Sequence, residues 1–241
     1  MNRTIVGLVV PEAVDAIPAE APAMFPDIAF ISKGIGLRSL STTGYDEAID
    51  RVVPAAQSLA SRGADAVMVV GTSLTFYRGA AFNAALIERV STATGLPAGT
   101  MSGAIVDQLR EVGASKLAVV TGYSGVVNEL LKSFLQESSF DVLALRSVSV
   151  ARRVGEAAAT AEHDICGASL NTFREAARAD AILIVCGGLR TLDVTPRIEM
   201  QCGVPVVSSM PAAIRAAAMR AGERIRSRRS PVDHLAAPSG V

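Results

Sequence analysis

An eleven-residue stretch occurs twice in this chain. Residues 64–74 read ADAVMVVGTSL and residues 179–189 read ADAILIVCGGL; five of the eleven positions are identical, and most others exchange one apolar residue for another. A second match follows each copy, GLPAGTMSGAI at 95–105 against GVPVVSSMPAAI at 203–214. A third, weaker match pairs TIVGLVVP at 4–11 with KLAVVTGY at 116–123. Chance similarity among apolar strands accounts easily for one such match and poorly for three in the same order. The chain therefore reads as a duplicated four-strand unit.

The repeated segments are short β-branched runs that end in Gly, Ser or Pro. Eight of them are expected strands: Thr4–Val10, Asp27–Ser32, Ala66–Val70, Leu96–Thr100, Lys116–Thr121, Asp141–Val148, Ala181–Val185 and Val204–Ser208. Ala-, Leu- and Arg-rich segments with helical periodicity separate most of them: Tyr45–Arg62, Phe82–Thr94, Ala104–Glu111, Val126–Glu137, Glu156–Ala179 and Ala212–Arg228. Continuous apolar strands alternating with helices predict parallel sheets covered on both faces. The fold class is α/β, with two pseudo-symmetric four-stranded parallel-sheet domains flanked by helices. We place the first domain at 1–101, with a C-terminal helix at 210–241 returning to it, and the second at 102–209. Ligands of such sheets bind beyond the carboxyl ends of the strands, so the active site is expected in the cleft between the domains.

Composition removes several function classes. Of 241 residues, Lys and Arg number 23 and Asp and Glu number 23, so the formal net charge is zero. Nucleic-acid and membrane-surface binding both need a basic excess. No apolar stretch approaches the length of a spanning helix, and the N-terminus lacks a signal-peptide layout. A cytoplasmic protein is expected. His163 and His234 are far apart and neither HExxH nor CxxC occurs, so no metal site is predicted. Cys166, Cys186 and Cys202 form an odd set with no disulfide-like spacing. KGIGLRS at 33–39 lacks the last glycine of a dinucleotide fingerprint and reads as a loop. Glu12, Asp15 and Glu20 read as solvated loop charges, and the basic tail as a solvated helix end.

Three strand ends carry chemistry. GTSL at 71–74 can present successive backbone N–H groups and two hydroxyls to an anion; the same residues equally suit an ordinary turn and helix cap. CGGL at 186–189 sets a thiol before two glycines that permit close backbone approach to a ligand; a buried structural cysteine is the other reading. TGYSG at 121–125 offers Tyr123 as a phenolic donor or as a packed tyrosine. The repeat places Gly71 opposite Cys186, and it pairs Pro11 with Tyr123 at the cleft mouth.

A small turn at a strand end in each half, with cysteine chemistry across a cleft, resembles the aspartate/glutamate racemase superfamily. Those enzymes use two thiols, one on each side of the substrate α-carbon. This chain departs from that pattern at Gly71. Within the superfamily the departure is similar to the arylmalonate decarboxylase family, through GTSLTFYRGAAFNAAL at 71–86, CGGLRTLDVTP at 186–196, GVPVVSS at 203–209 and, more weakly, PDIAFISKGIGL at 26–37.

The resemblance implies cofactor-free decarboxylation of α-aryl or α-alkenyl malonates to enantioenriched monocarboxylic acids. It assigns a dioxyanion hole to Thr72, Ser73 and Tyr123, with backbone donors near Ser73 and Gly187. It assigns the proton to Cys186, and an apolar pocket for the departing carboxylate to Pro11, Leu37, Leu40, Tyr45 and Leu74. ARRVGEAA at 151–158 is expected near that pocket, but it departs most from the family and no role carries over. The expected partner is a small dicarboxylate, and the expected state a monomer. Two alternatives stay open: a racemase or maleate-type isomerase of the same superfamily, and a non-catalytic carboxylate-binding protein. The isomerase needs a second acid or base near Gly71, where GTSLTFYRG offers only Tyr77 and Arg78.

Overall fold

The computed structural model describes residues 3–123, 125–148 and 162–229. Segment 151–158 and His234 lie outside them. Eight strands are seen: β1 Ile5–Val10, β2 Ala29–Gly34, β3 Ala66–Val69, β4 Ala98–Thr100, β5 Lys116–Thr121, β6 Asp141–Ser147, β7 Ala181–Val185 and β8 Val206–Ser208. They form two parallel four-stranded sheets, ordered β2-β1-β3-β4 and β6-β5-β7-β8. All eight expected strands are present, and the two sheets have the same strand order.

The helices among the described residues are α1 Glu20–Met24, α2 Thr42–Ile49, α3 Val52–Ser61, α4 Thr72–Phe76, α5 Gly79–Thr94, α6 Met101–Glu111, α7 Val126–Glu137, α8 Glu162–Glu175, α9 Thr195–Cys202 and α10 Ser209–Arg229. Side chains of a strand alternate between faces, and each central strand feeds two cores. Val67 and Val69 of β3 join Val9, Leu59, Leu74 and Leu86 on one face. Ala66, Met68 and Val70 join Val6, Leu8 and Val10 on the other. In the second sheet Leu183 and Val185 pack with Leu117 and Val119, and Ile182 and Ile184 with Ala118 and Val120. Burial of each leucine such as Leu8, Leu59 or Leu117, all fully enclosed, contributes about 1.5–3 kcal/mol.

Two helices exchange sheets. α6 follows β4 of the first sheet, yet Ala104, Ile105, Val106 and Leu109 pack into the core of the second. α10 follows β8 of the second sheet, yet Met210, Ala213, Ile214, Ala217 and Ala221 pack onto the first. The two helices lie against each other, with exposed pairs Arg215–Glu111 and Arg220–Asp107 along the seam. Such exposed pairs contribute little, so the apolar faces hold the halves together.

Three details differ from the sequence reading. The segment read as one helix over Tyr45–Arg62 is two, α2 and α3. Pro54 cannot donate to the carbonyl of Asp50, and its ring crowds that carbonyl, so the chain turns at Asp50–Arg51 before resuming. The segment after β3, read as a turn, enters helix α4 at once. The third repeat is offset by one residue. Val6 pairs with Ala66 and Leu117 with Ala181, which makes Ile5 the counterpart of Lys116 and Pro11 that of Gly122. Side-chain bonds follow the same register: the Ile5 N–H donates to Asp65 at 3.0 Å, and the Lys116 N–H to Asp180 at 2.9 Å. Pro11 and Tyr123 are therefore not counterparts. Alternating apolar residues look alike under a one-residue slip, and only the pairing resolves it.

Candidate active site

Gly71 follows β3 by two residues and caps α4 with φ 123° and ψ 88°, a backbone conformation that costs an L-residue dearly. A Cβ there would clash with nothing: its nearest neighbours are Leu74 Cβ at 3.8 Å and Pro11 Cβ and Cδ at 3.9 Å. The turn points the start of α4 inward, so Thr72 and Ser73 are almost wholly buried. A second layer of hydroxyls fixes that start. Thr75 Oγ1 and Ser102 Oγ both lie 3.0 Å from the Thr72 carbonyl and 2.7 Å from one another, so one hydroxyl donates to the other and the second to the carbonyl. The Thr72 hydroxyl donates to Met101 Sδ at 2.9 Å. Thr100 caps α6 through the Gly103 N–H at 3.0 Å and donates to Asn83 at 2.5 Å.

The second half supplies the thiol. Cys186 follows β7 and is part-buried. Its backbone N–H donates to Ser209 Oγ, 3.3 Å away, on the first residue of α10. Burial pushes its thiol pKa up from the ordinary value, partly offset by the N–H groups of Gly188 and Leu189 aimed at the sulfur. The thiol is thus protonated at neutral pH, as a proton donor requires. The nearest atom to a Cβ built on Gly187 is Met210 Cε at 3.6 Å, so that turn is not sterically tight.

Tyr123 closes the site. Its ring stacks edge-on against Phe76, with centroids 6.0 Å apart. Burial raises its phenol well above the ordinary range, and Cys186, Thr72, Tyr45 and Ser73 are the groups its hydroxyl feels. Asn128 holds the loop: its Nδ2 donates to the Tyr123 carbonyl at 3.2 Å and to Ser147 Oγ at 2.9 Å, while Thr121 donates to its Oδ1 at 2.8 Å. Tyr45 comes from α2, its ring 5.1 Å from that of Tyr77. Burial pushes its phenol up to about 12, with Ser73 and Cys186 the next influences. Its hydroxyl is buried and makes no hydrogen bond among the described residues.

Residues from both halves meet here: Gly71, Thr72 and Ser73 with Tyr45 from the first, Tyr123 and Cys186 from the second. Around Gly71, the Leu37 N–H donates to the Pro11 carbonyl at 2.7 Å, and Leu37, Tyr45 and Leu74 share one buried cluster. Leu40 stands apart, 43% exposed in the loop before α2. The supports Asn128, Thr75, Met101, Ser102 and Ser209 went unread in the sequence. Thr75, Ser102 and Ser209 are hydroxyl residues in the first turns of α4, α6 and α10; Met101 and Asn128 carry no such local trace. Among the described residues, no group of three or more His, Cys, Asp or Glu is placed to hold a metal ion. No helix among them is long and apolar enough to cross a membrane.

Known proteins share both sequence and fold. The family model described as arylmalonate decarboxylase matches residues 6–230. An arylmalonate decarboxylase of Bordetella bronchiseptica is 42% identical over 228 residues, 92% of each chain. A liganded double-substitution variant of arylmalonate decarboxylase superimposes with TM-score 0.88 at 42% identity, over 91% of this chain and 93% of that one. A maleate cis-trans isomerase of Nocardia farcinica gives TM-score 0.81 at 18% identity, over 91% and 93% of the two chains, which shows a shared fold. This similarity along nearly the whole chain places the protein in the arylmalonate decarboxylase family, whose members are carboxy-lyases.

Proposed function

We propose that the protein decarboxylates α-aryl or α-alkenyl malonates without a cofactor and releases one enantiomer of the monocarboxylic acid. The observation that carries this reading is the protonated thiol of Cys186 gathered with the hydroxyls of Tyr123, Thr72 and Ser73, with Gly71 standing at its counterpart position in the repeat. Loss of CO2 from a malonate leaves an enediolate, a carboxylate bearing extra charge. Oriented neutral donors stabilise that charge where it develops. Thr72, Ser73 and Tyr123, with backbone N–H groups at Ser73 and Gly187, fill this role.

The departing carboxylate sits against Pro11, Leu37, Tyr45 and Leu74, without the exposed Leu40. Few solvating groups surround it there, and conversion to neutral CO2 relieves the mismatch. The C–C bond pair then rests on the enediolate until Cys186 delivers its proton to the α-carbon, and solvent reprotonates the thiolate. Gly71 offers no proton from the opposite face, so delivery is one-sided. We take the halves as 1–101 with the C-terminal helix, and 102–209, the reacting groups lying where they meet.

The test is incubation of the metal-stripped protein with phenylmalonate and with a 2-aryl-2-methylmalonate, following acid uptake and product chirality. Turnover is expected with both, and one enantiomer from the second substrate. A folded protein with an alkylatable Cys186 that turns over no aryl or alkenyl malonate would move the reading to an isomerase or a carboxylate binder.

A further inference from the structure

We propose that Met101 is a positioning residue, whose thioether sets the hydroxyl of Thr72 for the substrate oxygen. This rests on the assignment of Thr72 to the dioxyanion hole. A threonine hydroxyl has one proton to donate. In the structure that proton goes to Met101 Sδ at 2.9 Å. Both residues are buried, at 1% and 0% exposure, so water does not compete for it. A thioether is a weak acceptor, whereas a carboxylate or enediolate oxygen is a strong one. Sulfur therefore keeps Thr72 in one rotamer while the site is empty, and yields the proton at small cost when an anion arrives. A carbonyl or carboxylate in the same place would hold it too tightly.

The second half uses the equivalent position for the same purpose. Met101 and Ser209 are the first residues of α6 and α10. The β3–β4 and β7–β8 registers place Thr100 level with Val69 and Ser208 level with Ile184, so the residues that follow correspond. Ser209 grips the N–H of Cys186 as Met101 grips the hydroxyl of Thr72. In each half, the helix after the outer strand steadies the functional turn of the central strand.

The experiment is a double-mutant cycle on the full chain with Met101→Leu and Thr72→Val, reading kcat and KM with phenylmalonate and checking the fold by thermal unfolding. Leucine is nearly the same size and lacks the acceptor; Met101→Ile replaces it if Met101→Leu does not fold. Thr72→Val is expected to cost about 10²–10³-fold in kcat, as for loss of an oxyanion donor. Met101→Leu is expected to lower kcat about tenfold with KM nearly unchanged, and to have no further effect in the Thr72→Val background. Equal losses in both backgrounds, or no loss in either, would overturn the role of Met101 while leaving Thr72 in place. Full activity in Thr72→Val would instead overturn the assignment of Thr72.

Discussion

Replacing Gly71 by alanine separates two reasons for a glycine there. One is room for the substrate opposite Cys186. The other is the backbone, at φ 123° and ψ 88°. Steric clash contributes nothing, since the new methyl meets no atom closer than 3.8 Å. Holding an L-residue in this region costs about 1–3 kcal/mol, and the stiffer unfolded chain returns about 0.4–1 kcal/mol. The net destabilisation is about 1–2 kcal/mol. For a chain of this size each kcal/mol lowers Tm by about 2–4 °C, so scanning calorimetry is expected to show a fall of about 2–8 °C. The methyl also enters the space between Pro11 and Leu74, so KM for malonates rises. An unchanged or raised Tm would refute the backbone account and leave substrate room as the sole reason. Gly71→Cys carries the same strain and adds a second thiol facing Cys186; partial racemisation of the α-aryl propionate product is expected by chiral chromatography.

Cys186→Ser is expected to lower kcat about 10²–10⁴-fold, the usual contribution of a positioned general acid, with Tm little changed; retained turnover would remove Cys186 from the mechanism. Because burial raises the Cys186 pKa, kcat is expected to hold level through neutral pH and fall only above the ordinary thiol range near about 8.5. The same shift means the folded state binds this proton more tightly. Its stability contribution is complete below about 8.5 and declines as pH rises through the folded-state value; urea titrations from pH 7 to pH 10 check the sign. Tyr45→Phe removes a buried hydroxyl without a partner, and is expected to stabilise the ligand-free protein by about 1 kcal/mol, since such a group carries a desolvation cost of about 1–3 kcal/mol. A lowered Tm would mean that the hydroxyl is satisfied within the fold.

The eight strands and their parallel pairing in two copies were written in short local patterns. Strands buried on both faces must be continuous apolar runs, as VMVV at 67–70 and ILIV at 182–185 are, and the residue after each run must face the cleft. Such signals survive in one dimension because each depends on a few neighbouring residues. The folded chain settled what depends on distant ones. Pro54 divides a helix that periodicity alone runs together. Strand pairing moves the third repeat by one residue. The pairing of β4 with β3 and of β8 with β7 brings Met101 to Thr72 and Ser209 to Cys186. Asn128 reaches the Tyr123 loop from α7, and nothing beside it in the chain marks it. Periodicity records which face of an element is buried; it carries no record of which partner covers that face, because packing is decided by contacts between residues far apart in the chain.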